Sequence, residues 1–140
     1  MTDTTTDFPT LRLTAIDTPD PRGLAEFYRR LLGYRYRAGD EPREGEGTPE
    51  WLVLHGDAGE KLAFQVSPGL PRAQWPEGTV PQMMHLDLTV PDTAALSRQH
   101  DRALDLGATV LLDRSNDPEE ELYVYADPSG HPFCIFVSDQ

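Results

Sequence analysis

Apolar and polar residues alternate from Leu11 to Ile16, the period of a strand with one face buried. Asp20-Pro21 then supplies a helix N-cap followed by proline at the first helical position, where its missing N–H costs nothing. Leu24, Phe27, Tyr28, Leu31 and Leu32 recur at helical spacing, and Gly33 stands where a glycine ends a helix. A second strand is expected to begin in YRYR (34–37), followed by a loop rich in charge, Gly and Pro. Trp51–His55 and Leu62–Val66 flank the turn sequence GDAGEK and read as a hairpin. Residues 67–82 hold four prolines, which excludes a regular helix or central strand and predicts a linker wrapping the surface.

From His85 the same order returns. HLDLTV predicts a strand, Asp92 an N-cap, and Leu96, His100, Ala103 and Leu104 a helix that ends at Gly107. TVLLD, LYVYA and FCIFV complete the series, separated by the polar loop RSNDPEEE and the turn DPSG. A shift of 72 residues places Pro19-Asp20 on Pro91-Asp92, Leu24 on Leu96, Tyr28 on His100 and Trp51 on Tyr123, small loop-length changes being allowed for. An internal duplication accounts for this. The chain is therefore read as an α+β protein of two tandem βαβββ modules, 11–66 and 83–138, joined by the linker 67–82 and preceded by a loose tail, 1–10.

Composition narrows the partners. Twenty-four acidic residues against 12 basic ones give a net charge of −12, which opposes binding to nucleic acid or to anionic membranes. The single cysteine, Cys134, cannot form an internal disulfide, and no apolar run approaches the roughly 20 residues needed to span a bilayer. A soluble protein of the cytoplasm is expected.

Strands opening in HLDLTVPD and closing in DPSGHPFC, together with PDPRGLAEFYRRLLGY, KLAFQVSPG, QWPEGTVPQMMHLDLTV and ADPSGHPFCIFV, resemble the vicinal oxygen chelate superfamily and, within it, bacterial glyoxalase-like domains. The similarity covers residues 11 to 137. It implies that the two modules form one domain whose mixed sheet curls into a cup, the glyoxalase/bleomycin resistance/dioxygenase fold. It also implies four inward positions that serve as metal ligands in catalytic members, one on the first and one on the last strand of each module. Here those positions fall on Leu13, Gln65, His85 and Cys134. Leu13 has no donor atom, Gln65 offers a neutral amide, and Cys134 stands where a carboxylate is usual.

The residues themselves suggest a polar handle in an apolar cup. His85, Asp87 and Thr89 share one face of their strand, leaving Leu86, Leu88 and Val90 to pack on the helix. His85 beside Asp87 suits a general base or acid, or a hydrogen bond to a ligand; the alternative is that His85 merely satisfies the interior by bonding Asp87 or a strand carbonyl. The equivalent face of the first strand carries Leu13, Ala15 and Asp17. Gln65 adds an amide to the floor, and Trp51, Trp75 and Tyr123 are candidate stacking surfaces, Trp75 lying in the linker where it can close over the cup mouth. Cys134, flanked by Phe133 and Ile135, reads either as a small buried hydrophobe or as a soft ligand. His55 and His131 flank hairpin turns and His100 faces the sheet; all three read as structural or solvated.

The favoured expectation is a binding protein, without a metal or other cofactor, that holds a small neutral or cationic organic molecule through Leu13, Asp17, Trp51, Gln65, Trp75, His85, Asp87, Tyr123 and Cys134, with sequestration or resistance as its role. The alternative is a lyase or isomerase using His85 with Asp87, or a divalent metal held by His85, Gln65 and Cys134. A third is an interaction subunit whose cup its own side chains fill. A homodimer is expected in each case, because exposed sheet edges invite pairing.

Overall fold

The computed structural model describes residues 7–138. The first six residues of the expected tail lie outside that range, and residues 7–13 form no regular structure. The first module is β1 (Thr14–Thr18), α1 (Pro21–Leu32), β2 (Arg35–Tyr36), β3 (Trp51–His55) and β4 (Lys61–Val66). The second is β5 (Leu86–Val90), α2 (Thr93–Leu106), β6 (Thr109–Arg114), β7 (Leu122–Ala126) and β8 (Pro132–Val137).

Both helices start and stop where their caps dictate. Asp20 accepts a hydrogen bond from the Gly23 N–H at 3.0 Å, and Asp92 accepts one from the Ala95 N–H at 2.8 Å. Gly33 and Gly107 end the helices with φ of 71° and 117°, a region in which a side chain would be strained. β1 begins at Thr14 rather than Leu11 because its partner is short. Leu62, the second residue of β4, pairs with Thr14, so residues 11–13 run past the hairpin turn with little strand left to bond.

Each module folds into its own mixed sheet of four strands, in the orders β1-β4-β3-β2 and β5-β8-β7-β6. β1 runs parallel to β4 and β5 to β8, the remaining neighbours being antiparallel. The helices cross over one face of each sheet and bury it. Leu24, Phe27 and Tyr28 of α1 and Leu96 and Ala103 of α2 share one core cluster with Leu54, Phe64, Tyr125 and Phe133. The core runs between the modules: the Phe27 and Phe133 rings meet edge to face at 5.8 Å. Hydrogen bonds at its margin tie Thr18 to Ser129 at 2.7 Å and Tyr28 to Asp127 at 2.6 Å.

The repeat is real but not of constant period. Thr14 and Leu86, the first residues of β1 and β5, are 72 residues apart, whereas Lys61 and Pro132, the first of β4 and β8, are 71 apart. α2 is 14 residues long against 12 in α1, and the connection from β6 to β7, 115–121, is shorter than that from β2 to β3, 37–50. The structural counterpart of Trp51 is therefore Leu122, not Tyr123: Trp51 pairs with Gln65 and Leu122 with Phe136, each at the corresponding register. The same register makes Ala63, rather than Gln65, the counterpart of Cys134.

Candidate functional site

Period-two alternation decides which side chains leave the core. On β5, Leu86, Leu88 and Val90 pack against the core cluster while Asp87 and Thr89 are exposed on the opposite face. Cys134 pairs with Asp87 across the parallel β5–β8 ladder and shares that face. His85 immediately precedes β5, and its Nε2 stands 3.2 Å from Oδ1 of Asp87, with both side chains about half exposed. The nearest donor atoms of His85, Asp87 and Cys134 all lie within 4.8 Å of one another. Partial burial, and then the Asp87 carboxylate that accepts the thiol proton, push Cys134 up to about 11. Its sulfur is therefore a thiol at neutral pH.

On the first sheet, Asp17, Gln65 and Trp51 form one row across β1, β4 and β3. Between the two modules a groove of about 430 Å³ opens, with Ala15, Ile16 and Asp17 on one wall and Met84, His85 and Leu86 on the other. The linker covers it through Leu70, Pro71 and Val80, and Tyr28 and His131 also line it. Asp17 and His85, from different modules, thus face a common space. The linker itself is tied down. Gln74 N–H donates to the Val80 carbonyl at 2.6 Å, its side-chain oxygen accepts from the Thr79 and Val80 amides, and Arg72 donates to the Pro128 carbonyl at 2.8 Å.

The remaining expected residues sit apart from this groove. Leu13 precedes β1, half buried and just short of the lining. Gln65 and Trp51 stay in the row on the first sheet, and Trp51 lines a second cavity of about 390 Å³ beside Arg22, Arg43 and Glu46. Trp75 is half buried in the linker without lining the groove. Tyr123 faces the opposite way from its expected direction: it pairs with Ile135 on the helix side of the sheet and stacks on His100 at 3.9 Å. The reason is the lost residue in the repeat, since a one-residue offset turns every side chain of a strand to the other face.

Of the groove lining only Asp17 and His85 stand among the expected site residues; His131 and Tyr28 are among those the sequence reading missed. His131 donates its Nε2–H to the Asp17 carbonyl at 2.7 Å and so bridges the modules. Its signal is the turn DPSG before it, where Asp127 accepts from the Ser129 and His131 amides at 2.9 and 3.0 Å and fixes the ring's position. Tyr28 belongs to the core pattern of α1, and nothing in that pattern distinguishes it from Phe27.

The Glyoxalase-like domain model matches residues 14–136. No curated protein matches the chain. Among solved structures, a glyoxalase/bleomycin resistance protein/dioxygenase family enzyme from Burkholderia phytofirmans PsJN is similar at 17% identity and a TM-score of 0.67, covering 92% of this chain and 98% of its own. A glyoxalase/dioxygenase from Nostoc punctiforme has the same identity and TM-score, covering 100% of this chain and 98% of its own. The fosfomycin resistance protein FosX from Listeria monocytogenes, in complex with Mn(II) and sulfate, is 11% identical with a TM-score of 0.65, covering 94% of this chain and 93% of its own. These likenesses share a fold with the chain.

A metal held between the modules, as the resemblance implies for catalytic members, does not fit the residues present. Leu13 carries no donor, Ala63 stands in the first module where Cys134 stands in the second, and Gln65 lies in the row with Asp17 and Trp51. Among the described residues, the donors that do converge, on His85, Asp87 and Cys134, all come from one module.

Proposed function

As a member of the glyoxalase-like domain family, within the vicinal oxygen chelate superfamily, the chain has a two-module scaffold with a groove between the modules, and we propose that it holds a small organic molecule there using protein groups alone. The observation that carries this reading is the groove itself. Its volume of about 430 Å³ suits a drug-sized guest, and its walls are mostly apolar with Asp17 and His85 on opposite sides. A carboxylate in the lining and a net charge of −12 favour neutral or cationic guests over anions. Neighbours named for bleomycin and fosfomycin resistance support sequestration or resistance as the role. A cytoplasmic homodimer is the proposed working form, supported by the exposed Met83 and Met84 beside the open strand edges of β1 and β5.

Fluorescence titration with a cationic aromatic dye, and with an anionic one of similar size, tests the reading. The cationic dye should saturate one site per chain, and Ala15→Trp, which fills the groove, should weaken it at least tenfold. Equal binding by wild type and Ala15→Trp would exclude the groove as the site.

The 3.2 Å approach of His85 to Asp87 at the groove wall favours a second reading, in which His85 moves a proton on a bound carbonyl compound, as in a lyase or isomerase. That reading requires the protein to catalyse exchange of the α-proton of a simple aryl ketone with solvent deuterium, and His85→Ala to stop it. Exchange at the uncatalysed rate in wild type leaves the binding reading alone.

A further inference from the structure

The connection between β2 and β3 builds a second cavity that the groove does not share. Residues 37–50 run without regular structure, at the length, about 12–15 residues, beyond which a loop in a compact domain is usually functional. Arg22, at the start of α1, holds this loop through both carboxylate oxygens of Glu46 and the Asp40 carbonyl. The Asp40 carboxylate in turn accepts the Val53 N–H at 2.9 Å, which fixes the loop to β3. The enclosed space is about 390 Å³, with Pro49, Trp51 and Leu52 giving it an apolar side.

Pairing among the charged residues of the lining leaves a remainder. Three arginines and three carboxylates line the cavity. Arg22 is paired with Glu46 at 2.9 Å and Arg37 with Asp40 at 3.1 Å. Among the described residues, the Arg43 guanidinium and the Glu50 carboxylate make no hydrogen bond or ion pair. Glu46, whose charge reaches Arg43, already has both oxygens bonded to Arg22. One cation and one anion thus remain on the wall of a single space, beside an indole.

We propose that this cavity binds an α-amino acid with an apolar side chain, as its zwitterion. Arg43 takes the carboxylate, Glu50 takes the ammonium, and the side chain lies against Trp51 and Leu52. A guanidinium fork matches a carboxylate, and an ammonium donates to one, both through charge-assisted hydrogen bonds. A guest with one charge alone leaves the other wall charge unmatched, which sets the selectivity. A zwitterion has no net charge, so the protein's −12 neither repels nor concentrates it. No residue of this lining belongs to the groove, and the site stands whether or not the groove takes a guest.

Trp51 and Trp75 are the only tryptophans, so Trp75→Phe places the remaining indole emission at this cavity. Phenylalanine, phenethylamine and phenylpropanoate share a body and differ in charge. Emission should saturate at one phenylalanine per chain, and either single-charge analogue should bind about tenfold more weakly or worse, the worth of one hydrogen bond to a charged group. Arg43→Gln should bring phenylalanine down to the affinity of phenethylamine, and Glu50→Gln to that of phenylpropanoate, with far-ultraviolet circular dichroism unchanged. The proposal is overturned by emission that does not saturate, by either analogue binding as tightly as phenylalanine, or by undiminished affinity in Arg43→Gln or Glu50→Gln. Amide resonances of the wild-type chain decide the matter where a variant fails to fold: Glu50 and Trp51 should shift with phenylalanine, and shifts confined to the groove overturn the proposal.

Discussion

Tyr28 of α1 donates its hydroxyl hydrogen to Asp127 of the second module at 2.6 Å, with both side chains buried. The other carboxylate oxygen accepts the Ser129 and His131 amides. One carboxylate therefore joins the helix of one module to the turn that carries a groove histidine of the other. Tyr28→Phe leaves a buried acceptor unpaired and should cost about 1–3 kcal/mol in urea denaturation. It should also loosen His131 against Asp17, visible as a shift of the His131 ring resonances.

The same carboxylate makes stability depend on pH. Burial raises Asp127 above the ordinary aspartate range, outweighing the hydrogen bonds that lower it. A group with a raised folded pKa contributes stability that is full below its unfolded value, about 3.9, and is lost as pH rises through the folded value. Wild type should therefore lose stability relative to Asp127→Asn as pH rises from 4 toward neutrality, measured by paired urea titrations. A constant difference between the two proteins across that range would contradict this.

Arg22 anchors the long loop between β2 and β3. Its guanidinium grips both carboxylate oxygens of Glu46 at 2.9–3.0 Å, donates to the Asp40 carbonyl at 2.8 Å, and lies over the Tyr36 ring at 5.0 Å. Arg22→Ala should release residues 38–49 to limited proteolysis severalfold faster than wild type. Arg22→Lys should rescue only part of the protection, because an ammonium cannot reproduce the two-pronged contact.

Cys134 should alkylate slowly at neutral pH. With its thiol pushed up to about 11, the reactive thiolate is scarce, and the rate with iodoacetamide should climb about tenfold per pH unit from 7 to 10. Asp87→Asn removes a carboxylate that stabilises the protonated form, so alkylation at pH 8 should quicken. An unchanged rate would mean that burial alone sets the thiol's behaviour.

His100 stacks on Tyr123 at 3.9 Å and its Nδ1 lies 2.8 Å from the Tyr125 hydroxyl. His100→Ala should cost about 1–2 kcal/mol in urea denaturation through the lost stacking and hydrogen bond, while dye binding in the groove stays as in wild type.

Much of this architecture is written in local pattern. Asp20, Asp92, Gly33 and Gly107 mark the helix ends, and the alternation of HLDLTV assigns His85 and Asp87 to the face away from the leucines. Those signals act over a few residues, and the structure reproduces them. The groove was not legible in the same way. Its walls are strands some seventy residues apart, roofed by a linker without periodicity, and their meeting depends on packing between modules rather than on any local rule. Tyr123 faces the helix because the 72-residue spacing of the helix starts does not extend to β3 and β7, which start 71 residues apart. Gln65 and Cys134 both lie on the last strand of their modules, but register matches Cys134 to Ala63, a distinction that only strand pairing makes visible.

The 72-residue spacing of the first strands and the 71-residue spacing of the last have a consequence for how such a duplicated chain diversifies. In a strand, neighbouring letters belong to opposite worlds, one buried and one wet. The connecting loops absorb that one-residue difference, so Leu62 and Phe64 of one last strand and Phe133 and Ile135 of the other all face the core. The two modules can thereby hold a common shape while presenting different chemistry, an amide and an indole beside Asp17 in one, a thiol beside Asp87 in the other.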